Sequence, residues 1–170
     1  MASSFPGVIS QAGILIPAQE SKKTQYNKIY NEHCHRIYSL AFWMSDHELV
    51  AEQISERTFL RAFASSDYPR AEQIDQAFLA ELRDLFAVDG LDLNIPPPAA
   101  TRLCGNVKRV HLERAVVQLP AAEKLIFILH DVEGYEHDRI SCLLAISQND
   151  SRLGLHQARL RIRQLLAKIS

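Results

Sequence analysis

Residues 119–163 read LPAAEKLIFILHDVEGYEHDRISCLLAISQNDSRLGLHQARLRIR, and the fold is decided there. Leu125, Ile126, Ile128 and Leu129 give a short helix one apolar face. Pro120 stands just inside its start, where a missing N–H costs little. Gly134 ends it, because glycine tolerates the left-handed conformation of a helix stop. Ile140, Leu143 and Leu144 predict a second short helix, and Ala145-Ile146-Ser147 a tight corner. Ser147 and Asp150 both have the side chain to cap a third helix. In it Leu153, Leu155, Leu160, Ile162, Leu165 and Leu166 recur at mostly helical spacing between Arg152, Arg159, Arg161 and Arg163. Two helices joined by a tight turn, the second of them basic, form the outline of a helix-turn-helix.

Upstream, Tyr26, Ile29, Tyr30, His33, Ile37, Leu40, Ala41 and Met44 recur at three-and-four spacing and predict a helix over 26–44. Ser45-Asp46-His47-Glu48 has the form of a capping box opening the next helix, which runs to Phe63. Pro69 can open a third, with Ile74, Phe78 and Leu82 on its apolar side and Gly90 as its stop. The stretch LDLNIPPPAAT at 91–101 cannot continue a helix and favours an extended spacer. Beyond it, Val107 to Leu119 is again helical in pattern. No segment alternates as a strand does. The expected fold is all-α, with a flexible N-terminal arm at 1–22 and a helical domain at 23–90. A Pro-rich linker at 91–106 then leads to a helix-turn-helix domain at 107–170.

With 170 residues and 47% hydrophobic content, the chain can pack a core. It has no run of eighteen apolar residues to span a membrane. Its N-terminus has no basic leader of the secretory kind. Cys34, Cys104 and Cys142 are few, odd in number and widely spaced, which suits a reducing cytoplasm. The net charge of −1 hides an asymmetry: residues 1–100 hold 8 Lys+Arg against 13 Asp+Glu, and residues 101–170 hold 11 against 7. Any attraction to phosphate therefore belongs to the C-terminal half.

His33-Cys34-His35 cannot chelate one ion together, because successive helical residues point in different directions. His130-Asp131 and His137-Asp138 flank the glycine turn and are read as turn and cap residues. No phosphate loop, G-x-S-x-G or paired-carboxylate signature occurs, so neither catalysis, a cofactor nor a metal is expected.

The quoted stretch also carries a resemblance. Leu119-Pro120, Phe127 to Gly134, Asp138-Arg139-Ile140, Ile146-Ser147 and Leu155 to Arg159 resemble region 4 of bacterial sigma factors of the extracytoplasmic-function type. Tyr30, Arg36-Ile37-Tyr38, Ala51-Glu52 and Phe59 to Phe63 resemble region 2 of the same family. The chain departs from the family at Ala145, Asn149-Asp150 and Gly154, all expected on the DNA-facing surface. It departs further at 71–86, AEQIDQAFLAELRDLF, an acidic helix where the family melts promoter DNA.

The resemblance implies a transcription initiation factor that binds core RNA polymerase and directs it to promoters. Its implied partners are the β′ clamp and β flap of core polymerase, promoter DNA and an anti-sigma factor, with no membrane. Carried over by position, it places polymerase contacts on Glu52, Gln53, Glu56 and Arg57. The basic helix offers Gln148, Asn149, Ser151, Arg152, His156, Arg159 and Arg163 to DNA, amides and arginines suiting base edges and Ser, Arg and His suiting phosphates. The alternative is a sigma-derived regulatory or protein-interaction module that binds polymerase or an anti-sigma partner without melting promoters.

Overall fold

The structure, a computed structural model, describes residues 16–89 and 107–169. Every regular element among them is helical. Helices α1 (Ile16–Ser45), α2 (Glu48–Ser65) and α3 (Ala71–Leu85) precede the Pro-rich stretch. Helices α4 (Arg109–Val117), α5 (Ala121–Phe127), α6 (His137–Leu144) and α7 (Gln148–Ile169) follow it, with a π-helical turn at Ile128–Val132 between α5 and α6. The expected linker at 91–106 and the helix stop at Gly90 lie outside the described residues.

Helix α1 begins earlier than the sequence suggests. Residues 16–22, expected within a flexible arm, are helical. Ala, Gln, Glu and Lys dominate there, all good helix formers, and Pro17 sits in the first turn, where its missing N–H breaks no helical bond. The rest of the expected arm lies outside the described residues.

The expected capping box at Ser45 does not form. Ser45 is instead the last residue of α1, and its hydroxyl donates to the Ala41 carbonyl at 2.8 Å. Asp46 then turns the chain with φ of +52°, and His47 is the N-cap of α2. A short polar side chain serves a helix end as readily as a start, and here the end captured it.

The helix-turn-helix is close to its sequence reading, with three refinements. Pro120 is the N-cap of α5 rather than its first residue. Gly134 adopts φ of +71° and its N–H reaches the His130 carbonyl at 3.1 Å, so it stops the π-helical turn as expected. Of the two cap candidates, Ser147 is the cap: its hydroxyl accepts from the Asp150 N–H at 3.0 Å. Asp150 returns a carboxylate oxygen to the Ser147 N–H at 3.3 Å. This reciprocal pair is the capping box that the earlier serine did not make. Ala145 turns the corner in the left-handed conformation, φ +55°, where glycine would be unstrained.

The core crosses the Pro-rich stretch. Ile37, Leu40 and Met44 of α1, Ile54 and Phe59 of α2, and Ile74, Phe78 and Leu82 of α3 form one apolar cluster with Leu125, Ile128, Ile140 and Leu155. A second cluster, Ala115, Val116, Leu119, Ala158, Ile162 and Leu166, joins α4 to α7 and is covered in part by Trp43 of α1. The C-terminal helices thus lie against the N-terminal ones.

Lys124 of α5 marks the same seam. It is buried and its ammonium donates to the Met44 carbonyl at 3.4 Å. Burial lowers its pKa, against the raising effect of Asp46.

Candidate nucleic-acid interface

Helix α7 has two faces. Leu155, Ala158, Ile162 and Leu166 are buried, spaced three and four apart. Gln148, Asn149, Arg152, His156, Arg159 and Arg163 are exposed. Arg152, His156, Arg159 and Arg163 step along one side at intervals of four, three and four, so their side chains share a surface. Arg152, His156 and Arg163 have no acidic partner among the described residues. Arg161 is turned inward, where its Nε meets both oxygens of the buried Glu123 carboxylate at 3.0 and 2.8 Å. Burial raises the pKa of Glu123, and Arg161 offsets part of the rise.

Two sequence readings fail on this helix. Ser151, expected among the residues facing DNA, is completely buried, and its hydroxyl meets Nδ1 of His137 at 2.9 Å. Gly154 is likewise buried rather than exposed. Both lie on the side of α7 that packs against the rest of the domain, since positions 151, 154/155 and 158 repeat at helical spacing.

Beside this face lies a group that the sequence pattern did not bring together. The rings of His130, in the π-helical turn, and His137, at the start of α6, stack with centroids 4.7 Å apart and planes at 29°. His130 Nδ1 lies 2.8 Å from Asp131 Oδ1, so these two adjacent turn residues face each other. Asp131 also accepts a two-pronged hydrogen bond from Arg159, Nε at 3.0 Å and a terminal nitrogen at 2.6 Å. Burial pushes the Asp131 pKa up, but the bonds from Arg159 and His130 outweigh it and the net shift is down. The same bond to Asp131 raises the pKa of Arg159. His137 is held low by burial first, then by His130, Arg152 and Arg159, against the pull of Glu136. The legible signal was a histidine on each side of a glycine turn. What brought the rings together is the turn itself, widened by π-helical bonding before Gly134.

The seam between the two halves holds a second charged cluster. Asp75 of α3 is buried, its side chain 6% exposed. It accepts from Arg36 at 2.6 Å, the Tyr135 hydroxyl at 2.9 Å and Arg139 at 2.9 Å. Arg36 also donates to the Tyr135 oxygen at 2.9 Å, and the Arg139 guanidinium lies 3.7 Å above the Tyr135 ring. Burial works against the charge of Arg36, but its bond to Asp75 prevails and its pKa rises. Burial and the neighbouring Asp75 push the Tyr135 hydroxyl up to about 12.

Glu81, the other inward acid of α3, pairs with Arg61 at 2.7 Å. The acidity of α3 noted in the sequence is therefore only partly presented to solvent, through Glu72 and Asp84. Phe78 packs in the core as its spacing requires.

On α2, Glu52, Gln53, Glu56 and Arg57 are all exposed and lie on one face. Leu49 and Leu60 bracket them, 63% and 60% exposed. Alongside runs a groove of about 730 Å³ lined by Tyr26, Tyr30, Tyr38, Glu52, Glu56 and Phe59, among others. Tyr30 leans on Phe59 and Tyr26 on Phe63, with ring centroids 4.8 and 4.2 Å apart. His33 and Cys34 are half-buried on α1, while His35 is exposed. No helix among the described residues is long and apolar enough to cross a membrane.

Comparison with known proteins bears on both halves. Residues 109–162, from α4 into α7, match the family model described as Sigma-70, region 4. The chain is similar to the ECF RNA polymerase sigma factor SigE of Mycolicibacterium smegmatis, with 24% identity over 166 residues. The similarity takes in 85% of this chain and 63% of that protein, so the chain spans a little under two thirds of its relative's length.

Proposed function

We propose, from a chain that carries a Sigma-70 region 4 module and resembles the sigma factors of the extracytoplasmic-function type, that it acts as a transcription initiation factor. In this reading it binds core RNA polymerase and directs it to promoter DNA. One observation carries it: the row Arg152, His156, Arg159 and Arg163 stands exposed on the second helix of a helix-turn-helix, with Gln148 and Asn149 at its N-terminal end. A helix presented this way fits the major groove with its N-terminal residues at base edges and its arginines on base or phosphate acceptors. Ser151 drops out of the contact set.

Residues 23–90 and 107–170 are proposed as the two working modules, with 91–106 between them. The exposed face of α2, with Glu52, Gln53, Glu56 and Arg57 between Leu49 and Leu60, suits a helical partner of mixed apolar and charged character. We assign it to the β′ clamp of core polymerase, and the region 4 module to the β flap. The bond-making chemistry of initiation belongs to the polymerase.

A second reading is favoured by α3. Its Phe78 is buried and Asp75 ties it to α6 through Arg139. A helix so engaged offers no exposed aromatic ring on which an unpaired base could stack. This reading is a sigma-derived module that binds polymerase, or an anti-sigma partner, without melting DNA.

Run-off transcription with core polymerase and a pool of genomic fragments, beside a pull-down on core, separates the two. Specific transcripts from a subset of fragments support the initiation factor. Capture on core without transcripts supports the second reading, and no capture refutes both. Glu56→Lys reverses a charge at the centre of the α2 face, and its capture on core is expected to fall about tenfold.

A further inference from the structure

We propose that the stacked His130–His137 pair, together with Arg152 and Arg159, forms a proton-linked phosphodiester site, so that duplex DNA binds with uptake of protons from solvent. The inference rests on the DNA-binding reading above and adds residues outside helix α7 to it.

The geometry supplies the linkage. The carboxylate of Asp131 can only accept from His130 Nδ1, so that nitrogen carries the hydrogen. In neutral His130 the remaining nitrogen, Nε2, is then an acceptor, and its lone pair repels a phosphate oxygen. Protonation converts Nε2 into a donor. In His137, Nδ1 is taken by the buried Ser151 hydroxyl, and again Nε2 is the nitrogen left for an outside ligand. Two imidazoles in face-to-face contact repel each other when both are charged, and His130 accordingly opposes a charge on His137. A phosphate group between the pair and the arginines removes that penalty, taking a proton from solvent as it binds.

The surrounding charges leave the decision to the imidazoles. Facing the pair are Asp131 from the π-helical turn, Glu136 from the segment before α6, and Arg152 and Arg159 from α7. Two negative and two positive charges balance, so with neutral rings the patch has no net attraction for an anion. Each proton added gives it one positive charge. His137 is held below its ordinary pKa by burial and by His130, Arg152 and Arg159, and an anion reverses the last three of these effects. The sign follows: the bound state holds the proton more tightly than the free state, so affinity for DNA rises as the pH falls.

The test uses the full chain and a fluorescein-labelled duplex of mixed sequence, of about 25 base pairs so that it exceeds one helix-turn-helix site. Anisotropy is read at constant ionic strength from about pH 8 down to about pH 6, the window in which histidine titrates. Affinity is expected to rise about tenfold across that window, which corresponds to an average uptake of about half a proton per complex. The double variant His130→Asn, His137→Gln should show under about a twofold change. His130→Asn alone, which keeps the His137–Ser151 contact, should lose most of the slope and covers the case in which the double variant does not fold. His35→Gln, at an exposed imidazole of α1 outside the DNA-facing row, should retain the slope.

Calorimetry near the middle of that window, in two buffers of different ionisation heat, should count about half a proton taken up per complex by the wild type. A flat wild-type profile, or an unaltered slope in the histidine variants, overturns the proposal while leaving DNA binding intact. Absence of duplex binding at every pH overturns the DNA-binding reading as well.

Discussion

Two aspartates hold arginines in this molecule, with opposite consequences. Asp75 is almost fully buried between α1, α3 and α6 and satisfies two arginines and a tyrosine from both halves of the chain. Asp131 stands at the edge of the α7 face, its side chain 23% exposed, and holds Arg159, which is half exposed. The chemistry of the two pairs is the same. Their surroundings differ: in the seam the carboxylate itself has almost no water to fall back on, whereas at the α7 face both acid and arginine can exchange their partner for solvent or for another ion. Burial thus makes one cluster architecture and leaves the other available for binding.

The sharpest break of that contrast is Asp75→Ala. It leaves Arg36, Arg139 and the Tyr135 hydroxyl without their common acceptor, and the loss is expected at about 3–5 kcal/mol. Chemical denaturation of the purified protein measures it, and a loss under about 1 kcal/mol would place Asp75 with the surface pairs. Tyr135→Phe is gentler. It removes one donor from Asp75 and one acceptor from Arg36 while keeping the ring beneath Arg139, and about 1–2 kcal/mol of stability should go with it.

Arg152→Ala sharpens the other side. Folding stability should stay within about 0.5 kcal/mol of the wild type. Duplex binding should weaken, and the slope of log affinity against log salt should shrink by about 1, as for one lost phosphate contact.

Asp131→Ala should also cost folding little, under about 1 kcal/mol. The pKa of Asp131 is lowered in the folded protein, so its stabilising contribution is present above the usual aspartate range. It is lost as the pH falls through the lowered pKa, and wild type and variant should therefore converge in acid. The same substitution releases Arg159 and should tighten duplex binding severalfold, which anisotropy at neutral pH would detect.

Where a local pattern had a local cause, it was legible. Gly134 stops its helical turn and Ser147 starts α7 because a left-handed φ and an N-cap hydroxyl are properties of single residues. Leu155, Ala158 and Ile162 face inward because helical spacing puts them on one side. Ser45 misled for the same local reason, since a serine between two helices can serve either. Ser151 misled because polarity was taken for exposure, and its partner, His137, lies fourteen residues away.

What the chain by itself determined is the all-helical fold, the helix-turn-helix with its caps, the basic outer row of α7, and the resemblance to sigma regions 2 and 4. The first three follow from composition, spacing and turn chemistry acting within a few residues, and the resemblance rests on short motifs matched to a known family. The tertiary structure alone decided that one apolar core bridges the Pro-rich stretch, that Asp75 gathers Arg36, Tyr135 and Arg139, and that His130 stacks on His137 beside Arg159. These contacts join residues seven to ninety-nine positions apart. No periodicity encodes which buried carboxylate meets which arginine. That choice is made when the helices dock and water leaves the space between them.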